Sequence, residues 1–168
     1  MSDLGGAVWR FGDNIDTDSL APGIYMKRPI EELARHCLET IDPRFATEVK
    51  PGDIVVADRN FGMGSSREQA AQALRQLGIA AVLAISFAGI FYRNALNLGL
   101  LALVCPETER IRAGDRLTVD GVRGVVSNLT TGERLQCEPL PPHLLRMIED
   151  GGLVPHLEKK LAVKRVIA

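Results

Sequence analysis

The sequence predicts an α/β fold, with parallel strands joined by crossover helices and an antiparallel β elaboration toward the C-terminus. Three observations carry this. Apolar runs at 53–57, 80–86 and 100–105 alternate with segments of helical period at 65–78 and 87–99. The joints between them are short, which favours right-handed strand–helix–strand crossovers. Beyond residue 114 the pattern changes to three short β-rich stretches, with turns supplied by Asp120-Gly121 and Thr131-Gly132-Glu133.

Each element has its own signal. Residues 7–11 (AVWRF) read as a short strand that runs into a polar loop dense in Asp, Asn, Gly and Pro. Pro29 opens a helix whose apolar stripe is Ile30, Leu33, Ala34, Cys37, Leu38 and Ile41, and Asp42-Pro43 punctuates its end. The turn at 51–53 introduces the strand 53–57, and the loop 58–64 follows. The helix 65–78 turns Ala70, Ala73, Leu74 and Leu77 inward and stops at Gly78. The helix 87–99 places Ile90, Phe91, Asn94, Ala95 and Leu98 on one stripe and stops at Gly99. Residues 140–152 read as a final short helix stopped by glycines.

Composition narrows the function classes. The 168 residues favour a single domain with a real core. Twenty Lys+Arg against 21 Asp+Glu leave no basic excess for tracking phosphates, and an aromatic fraction of 5% argues against a base-stacking platform. No apolar run reaches the roughly 18 residues of a membrane span, and the N-terminus lacks the layout of a secretory signal. Cys37, Cys105 and Cys137 are far apart in sequence, as are His36, His143 and His156, so no zinc or iron–sulfur spacing is present. Free thiols fit a reducing cytoplasm. These readings predict a cytoplasmic protein that binds neither nucleic acid nor membrane and holds no metal of its own.

The chemistry points to residues 60–68, NFGMGSSRE. A glycine-bracketed loop leads from a strand into two serines and an arginine at a predicted helix start. Unpaired N–H groups and the helix dipole favour an anion there. Gly62 and Gly64 permit close backbone approach, Arg67 offers a planar fork to a carboxylate or phosphate, and the same field eases deprotonation of a serine hydroxyl. The pattern also reads as a capping box, with Ser65 or Ser66 as N-cap and Glu68 or Gln69 completing it. It is neither a Walker loop nor a hydrolase elbow. Asp13–Asp18 lacks the glycine and distal glutamate of an EF-hand and reads as Asx-turns in a surface loop. Tyr92-Arg93-Asn94 on the second crossover helix is a weak third signal.

The segments NIDTDSLAPG, NFGMGSSREQAAQALRQLGIAAVLAISFAGIFYRNALNLGLLAL and GGLV resemble the small subunits of 3-isopropylmalate dehydratase, over nearly the whole chain. Those subunits are similar to the swivelling C-terminal domain of aconitase. The resemblance implies a three-layer β/β/α swivelling domain over residues 1–168. It implies a separate large subunit that carries a [4Fe–4S] cluster, with no cofactor on this chain. The implied reaction is dehydration and rehydration of a small hydroxy-dicarboxylate, in leucine biosynthesis, by a heteromeric hydro-lyase. By matching motifs, Ser65 is the general base, Ser66 and Arg67 hold substrate carboxylate, and Asp18 helps orient these groups. The loop 24–28, through Ile24, Met26 and Arg28, lies where family members choose the substrate side group. Met63, Gln69 and Gly89 depart from the common family pattern. Two other readings stand beside this one: a sister hydro-lyase acting on homoaconitate, a methylmalate or a dimethylmalate, and a non-catalytic dicarboxylate-binding module.

Overall fold

Residues 4–167 are described by a computed structural model. Seven strands form one sheet in the order β4-β3-β2-β1-β5-β6-β7. These are β1 (Leu4–Arg10), β2 (Ile54–Val56), β3 (Ala81–Ala84), β4 (Leu101–Val104), β5 (Arg116–Asp120), β6 (Val125–Asn128) and β7 (Arg134–Gln136). β1 to β4 are mutually parallel, in the registers Val8↔Ile54, Ile54↔Ala81 and Ala81↔Leu101. β5, β6 and β7 add antiparallel on the other side of β1.

The burial patterns explain the two halves. β2 and β3 are buried at every position, as strands covered on both faces must be. β5 and β6 alternate buried and partly exposed residues, so each has one covered face. Leu117, Val119, Val126 and Leu135 join the same core as Val55, Val82 and Leu103, so the antiparallel half folds back onto the parallel half. The two ends of the sheet meet: Glu138 N–H donates to Val104 O at 2.9 Å. This is the predicted α/β architecture with crossover helices and an antiparallel elaboration.

α4 (Gln69–Gln76) and α5 (Gly89–Asn97) connect β2 to β3 and β3 to β4. They bury Ala70, Ala71, Ala73 and Leu74, and Phe91, Ala95 and Leu96 respectively. Ile90, placed on the inward stripe from sequence, is exposed, because its helix begins only one residue earlier and has not yet reached the core. Buried carboxylates tie the strand ends. Asp53 accepts from Ala7 N, Trp9 Nε1 and Lys50 N, and Asp115 accepts from Arg112 N and Asn128 Nδ2.

Three element predictions need correction. The helix expected from Pro29 to Ile41 is α-helical only over α2 (Ile30–Ala34); turns follow, and Leu38 takes a positive φ of 59°. Its N–H is drawn out to Ser19 O at 2.8 Å, and Tyr25 stacks on His36 with ring centroids 3.7 Å apart. These contacts outweigh continuation of the helix. The helix expected from Ser65 begins at Gln69. The helix ending near Gly152 is not the last: α6 (Pro142–Glu149) is followed by α7 (Leu153–Ile167). α7 buries no residue and its apolar side chains form no single stripe, so periodicity gave no signal for it. Two short helices, α1 (Thr17–Leu20) and α3 (Phe45–Glu48), lie in segments given no element from sequence.

Gly62 carries a direct test of the packing that places the next loop. Its φ is +83°, and a Cβ there would overlap the Phe91 side chain of α5. Strain at positive φ plus overpacking predicts that Gly62→Ala costs about 2–4 kcal/mol, measured as a lower urea midpoint at unchanged slope. An unshifted midpoint would mean that the loop does not depend on this contact.

Candidate active site

Two loops leave the same end of the sheet and are stitched together. Gly62 N–H donates to Ile15 O at 2.7 Å, and Thr17 N–H donates to Met63 O at 2.8 Å. Asp13 accepts from Arg59 N, and Asn14 Oδ1 accepts from Asn60 Nδ2. Asp16 caps α1 by accepting from Ser19 N at 2.7 Å. The acidic run is therefore a docked loop with Asx caps, and each of these polar groups has a structural partner.

Thr17 is the hinge of the site. It is buried, at 3% exposure, between the two loops. Its Oγ1 accepts the Ser65 N–H at 3.0 Å and lies 3.2 Å from Ser65 Oγ. Gly64 has a φ of +114°, and a Cβ there would come within 2.9 Å of Thr17 Oγ1. The glycine before Ser65 thus serves the approach of Thr17 as well as that of a ligand. Sequence reading passed over Thr17, which is flanked by acids in a run that looks like loop.

Arg67 gathers the rest. Its Nε donates to Ser65 Oγ at 2.8 Å, and its Nη1 donates to Asp18 Oδ1 at 3.0 Å and to Ala21 O at 2.8 Å. Asp18 also accepts Gly23 N–H at 3.0 Å. The Gly23 N–H first, and Arg67 second, hold the Asp18 carboxyl below its ordinary range. Asp18 thus remains ionised at neutral pH. Among the described residues only Nη2 of the guanidinium has no hydrogen bond, so Arg67 offers the two N–H groups of one nitrogen, where sequence reading gave it a bidentate fork.

Ser65 and Ser66 are exposed at the lip, and neither caps α4: the N-cap is Glu68, with no side-chain cap bond. The capping-box alternative is therefore removed. The two partners of Ser65 Oγ account for this: the hydroxyl is turned back toward Thr17 and Arg67, not toward the helix start. Ser66 O receives Asn94 Nδ2 of α5 at 3.4 Å, which brings the third sequence signal to the same lip.

The loop 24–28 is distributed. Gly23 is fixed through Asp18, so Ile24, 82% exposed, stands beside the site. Met26 packs against the core, and Arg28 faces Glu32 at 3.6 Å. Of the predicted site residues, the structure brings Asp18, Ser65 and Arg67 into direct contact. Ser66 and Ile24 lie next to them. Met26 and Arg28 are turned elsewhere.

Chemically, the arrangement can stabilise an alkoxide at Ser65. When Ser65 loses its proton, Oγ is held by Arg67 Nε–H, and the Thr17 hydroxyl can turn to donate to it. Fixed donors aimed at a developing oxyanion stabilise it without reorganisation. No group of three or more His, Cys, Asp or Glu among the described residues is placed to hold a metal ion.

The aconitase C-terminal domain model matches residues 15–108, which span both stitched loops and the crossover region. A 3-isopropylmalate dehydratase small subunit 1 from Archaeoglobus fulgidus is 53% identical over 89% of this chain and 93% of its own length. A methanogen homoaconitase small subunit from Methanothermobacter thermautotrophicus is 47% identical, covering 93% of this chain and 91% of its own. A crystal structure of 3-isopropylmalate dehydratase from Methanocaldococcus jannaschii superposes with a TM-score of 0.94 at 39% identity, over 99% of this chain and all of that one. The family model covers more than half of the chain and the relatives match it at near full length, so the chain belongs to the aconitase C-terminal domain family.

Proposed function

We propose that this chain is the small subunit of a heteromeric hydro-lyase that interconverts 2- and 3-isopropylmalate by dehydration and rehydration, in the cytoplasm, as a step of leucine biosynthesis. The observation that carries the reading is the Ser65 hydroxyl at 2.8 Å from Arg67 Nε and 3.2 Å from Thr17 Oγ1, on an exposed lip. A base in this setting needs a second surface to bring its substrate and exclude water. The relatives named as small subunits support a large subunit as that surface.

The implied [4Fe–4S] cluster does not fit this chain: its three cysteines are buried in the core, and among the described residues no three or more His, Cys, Asp or Glu gather to hold a metal. The cluster is assigned to the large subunit. The residues here divide the remaining work. Ser65 Oγ takes the proton from the carbon beside a carboxylate in one direction and returns it in the other. Arg67 Nη2, with the Ser66 hydroxyl, faces that carboxylate. Asp18 holds Arg67 in place and offsets its charge, so that the guanidinium keeps Nε on Ser65.

The alternative of a homoaconitate-type substrate draws on the homoaconitase small subunit among the relatives. The substrates share their reacting carbons and two carboxylates and differ in one side group, which must meet another surface. The exposure of Ile24 next to Gly23 supports Ile24 as part of that surface. An alkyl group gains only about 1–3 kcal/mol of discrimination per methylene from such contact.

In the complex reconstituted with its large subunit, Ser65→Ala should leave folding and assembly intact and reduce hydration of the unsaturated intermediate to below a few per cent. Ser66→Ala run in parallel identifies the base if the adjacent serines exchange roles. Retention of rate by Ser65→Ala removes it as base.

Arg67→Lys should lower kcat/KM roughly ten- to a hundredfold, because one ammonium cannot reach Ser65, Asp18 and Ala21 together. Wild-type kinetics would show that the guanidinium holds structure only. For selectivity, kcat/KM on alkyl- and carboxymethyl-substituted malates should shift relative to one another in Ile24→Ala, and less in Met26→Ala and Arg28→Ala. Unchanged ratios in all three would place the choice on the large subunit.

A further inference from the structure

The antiparallel half of the sheet returns to meet β4, and the seam brings together two cysteines that sequence spacing kept apart. Val104 O accepts Glu138 N–H, Cys105 N–H turns away to Ala84 O at 2.8 Å, and Cys137 N–H turns away to Gly124 O at 2.6 Å. By the sheet order, β7 runs antiparallel to β4. With 104 opposite 138 in that register, 105 lies opposite 137, and both residues point their N–H groups outward. Outward N–H groups on facing residues resemble the non-hydrogen-bonded position of an antiparallel pair, where Cα atoms stand about 4.5 Å apart and side chains share one face. A disulfide accepts Cα separations of about 4.4–6.8 Å.

We propose that Cys105 and Cys137 form a redox couple, which a hydroperoxide oxidises to a cross-strand disulfide that locks the seam of the sheet. Both thiols are free and buried. The neighbouring thiol holds Cys105 below the ordinary thiol value and pushes Cys137 above it. Either sulfur can attack first, with the other as the resolving thiol. A cleft of about 340 Å³, lined by Val104 and Glu138 together with Phe87, Gly89 and Tyr92, opens beside the pair and gives a small oxidant its approach once the seam loosens. With Cys105 first, its sulfur attacks one peroxide oxygen; the O–O bond breaks, and hydroxide leaves and takes up the thiol proton as water. The Cys137 sulfur then displaces the hydroxyl of the sulfenic acid. The S–S bond forms, and a second water leaves with the Cys137 proton. Two thiols lose two electrons, and the peroxide gains them.

The experiment treats the full chain with hydrogen peroxide, blocks remaining thiols under denaturing conditions and maps peptides without reduction. The expected result is a mass loss of two hydrogens, a Cys105–Cys137 peptide, and Cys37 as the one blocked thiol. Closing so long a loop without strain should raise Tm by about 5–10 °C, reversed by dithiothreitol. Cys137→Ser should abolish both the link and the rise. Three blockable thiols after treatment that oxidises exposed Met63, a link through Cys37, or a link that lowers Tm would each overturn the proposal.

Discussion

The site depends on one tertiary constraint, the stitching of residues 13–17 to residues 60–65. Three backbone donors make it: Gly62 to Ile15, Thr17 to Met63, and Ser65 to the Thr17 hydroxyl. None of these segments is regular structure long enough to hold its own shape. Together they fix the path of the chain from β2 to α4 and deliver Ser65 to its two partners. Arg67 then closes the arrangement across the loops, since its partners Asp18 and Ala21 belong to one strap and Ser65 to the other.

The fold was legible where local pattern and tertiary role coincide. β2, β3 and β4 are short apolar runs between turn signals, and α4 buries the alanines and leucine that its period placed inward. Legibility failed where a side-chain or backbone contact from elsewhere overrode the local pattern. Leu38 leaves its helical stripe because Ser19 O takes its N–H. Ser65 fails to cap because Thr17 and Arg67 occupy its hydroxyl. α7 escaped because a helix with no buried side has no amphipathic signature.

The same division holds at the site. Ser65, Ser66 and Arg67 were visible because hydroxyls and a guanidinium behind a glycine-flanked turn mark a place where an anion can meet the chain. Asp18 came only with the family motif. Thr17 was invisible: a lone threonine between carboxylates carries no periodicity, and its value lies in distances to residues 48 positions away. Met26 and Arg28 were singled out by position in a loop, whereas the core and Glu32 decide where they point.

The meeting of Val104 with Glu138 also bears on colloidal behaviour. An open sheet of seven strands would end in two rows of unpaired amides, and each row would be a template for another chain. Here the last strand's outgoing segment shields the edge that β4 would otherwise present, and the parallel strands β2 and β3 lie deep inside the sheet. The polypeptide guards its own borders by bringing its sheet ends into contact. A chain whose proposed working surface is an exposed lip thus keeps this sheet edge from copies of itself.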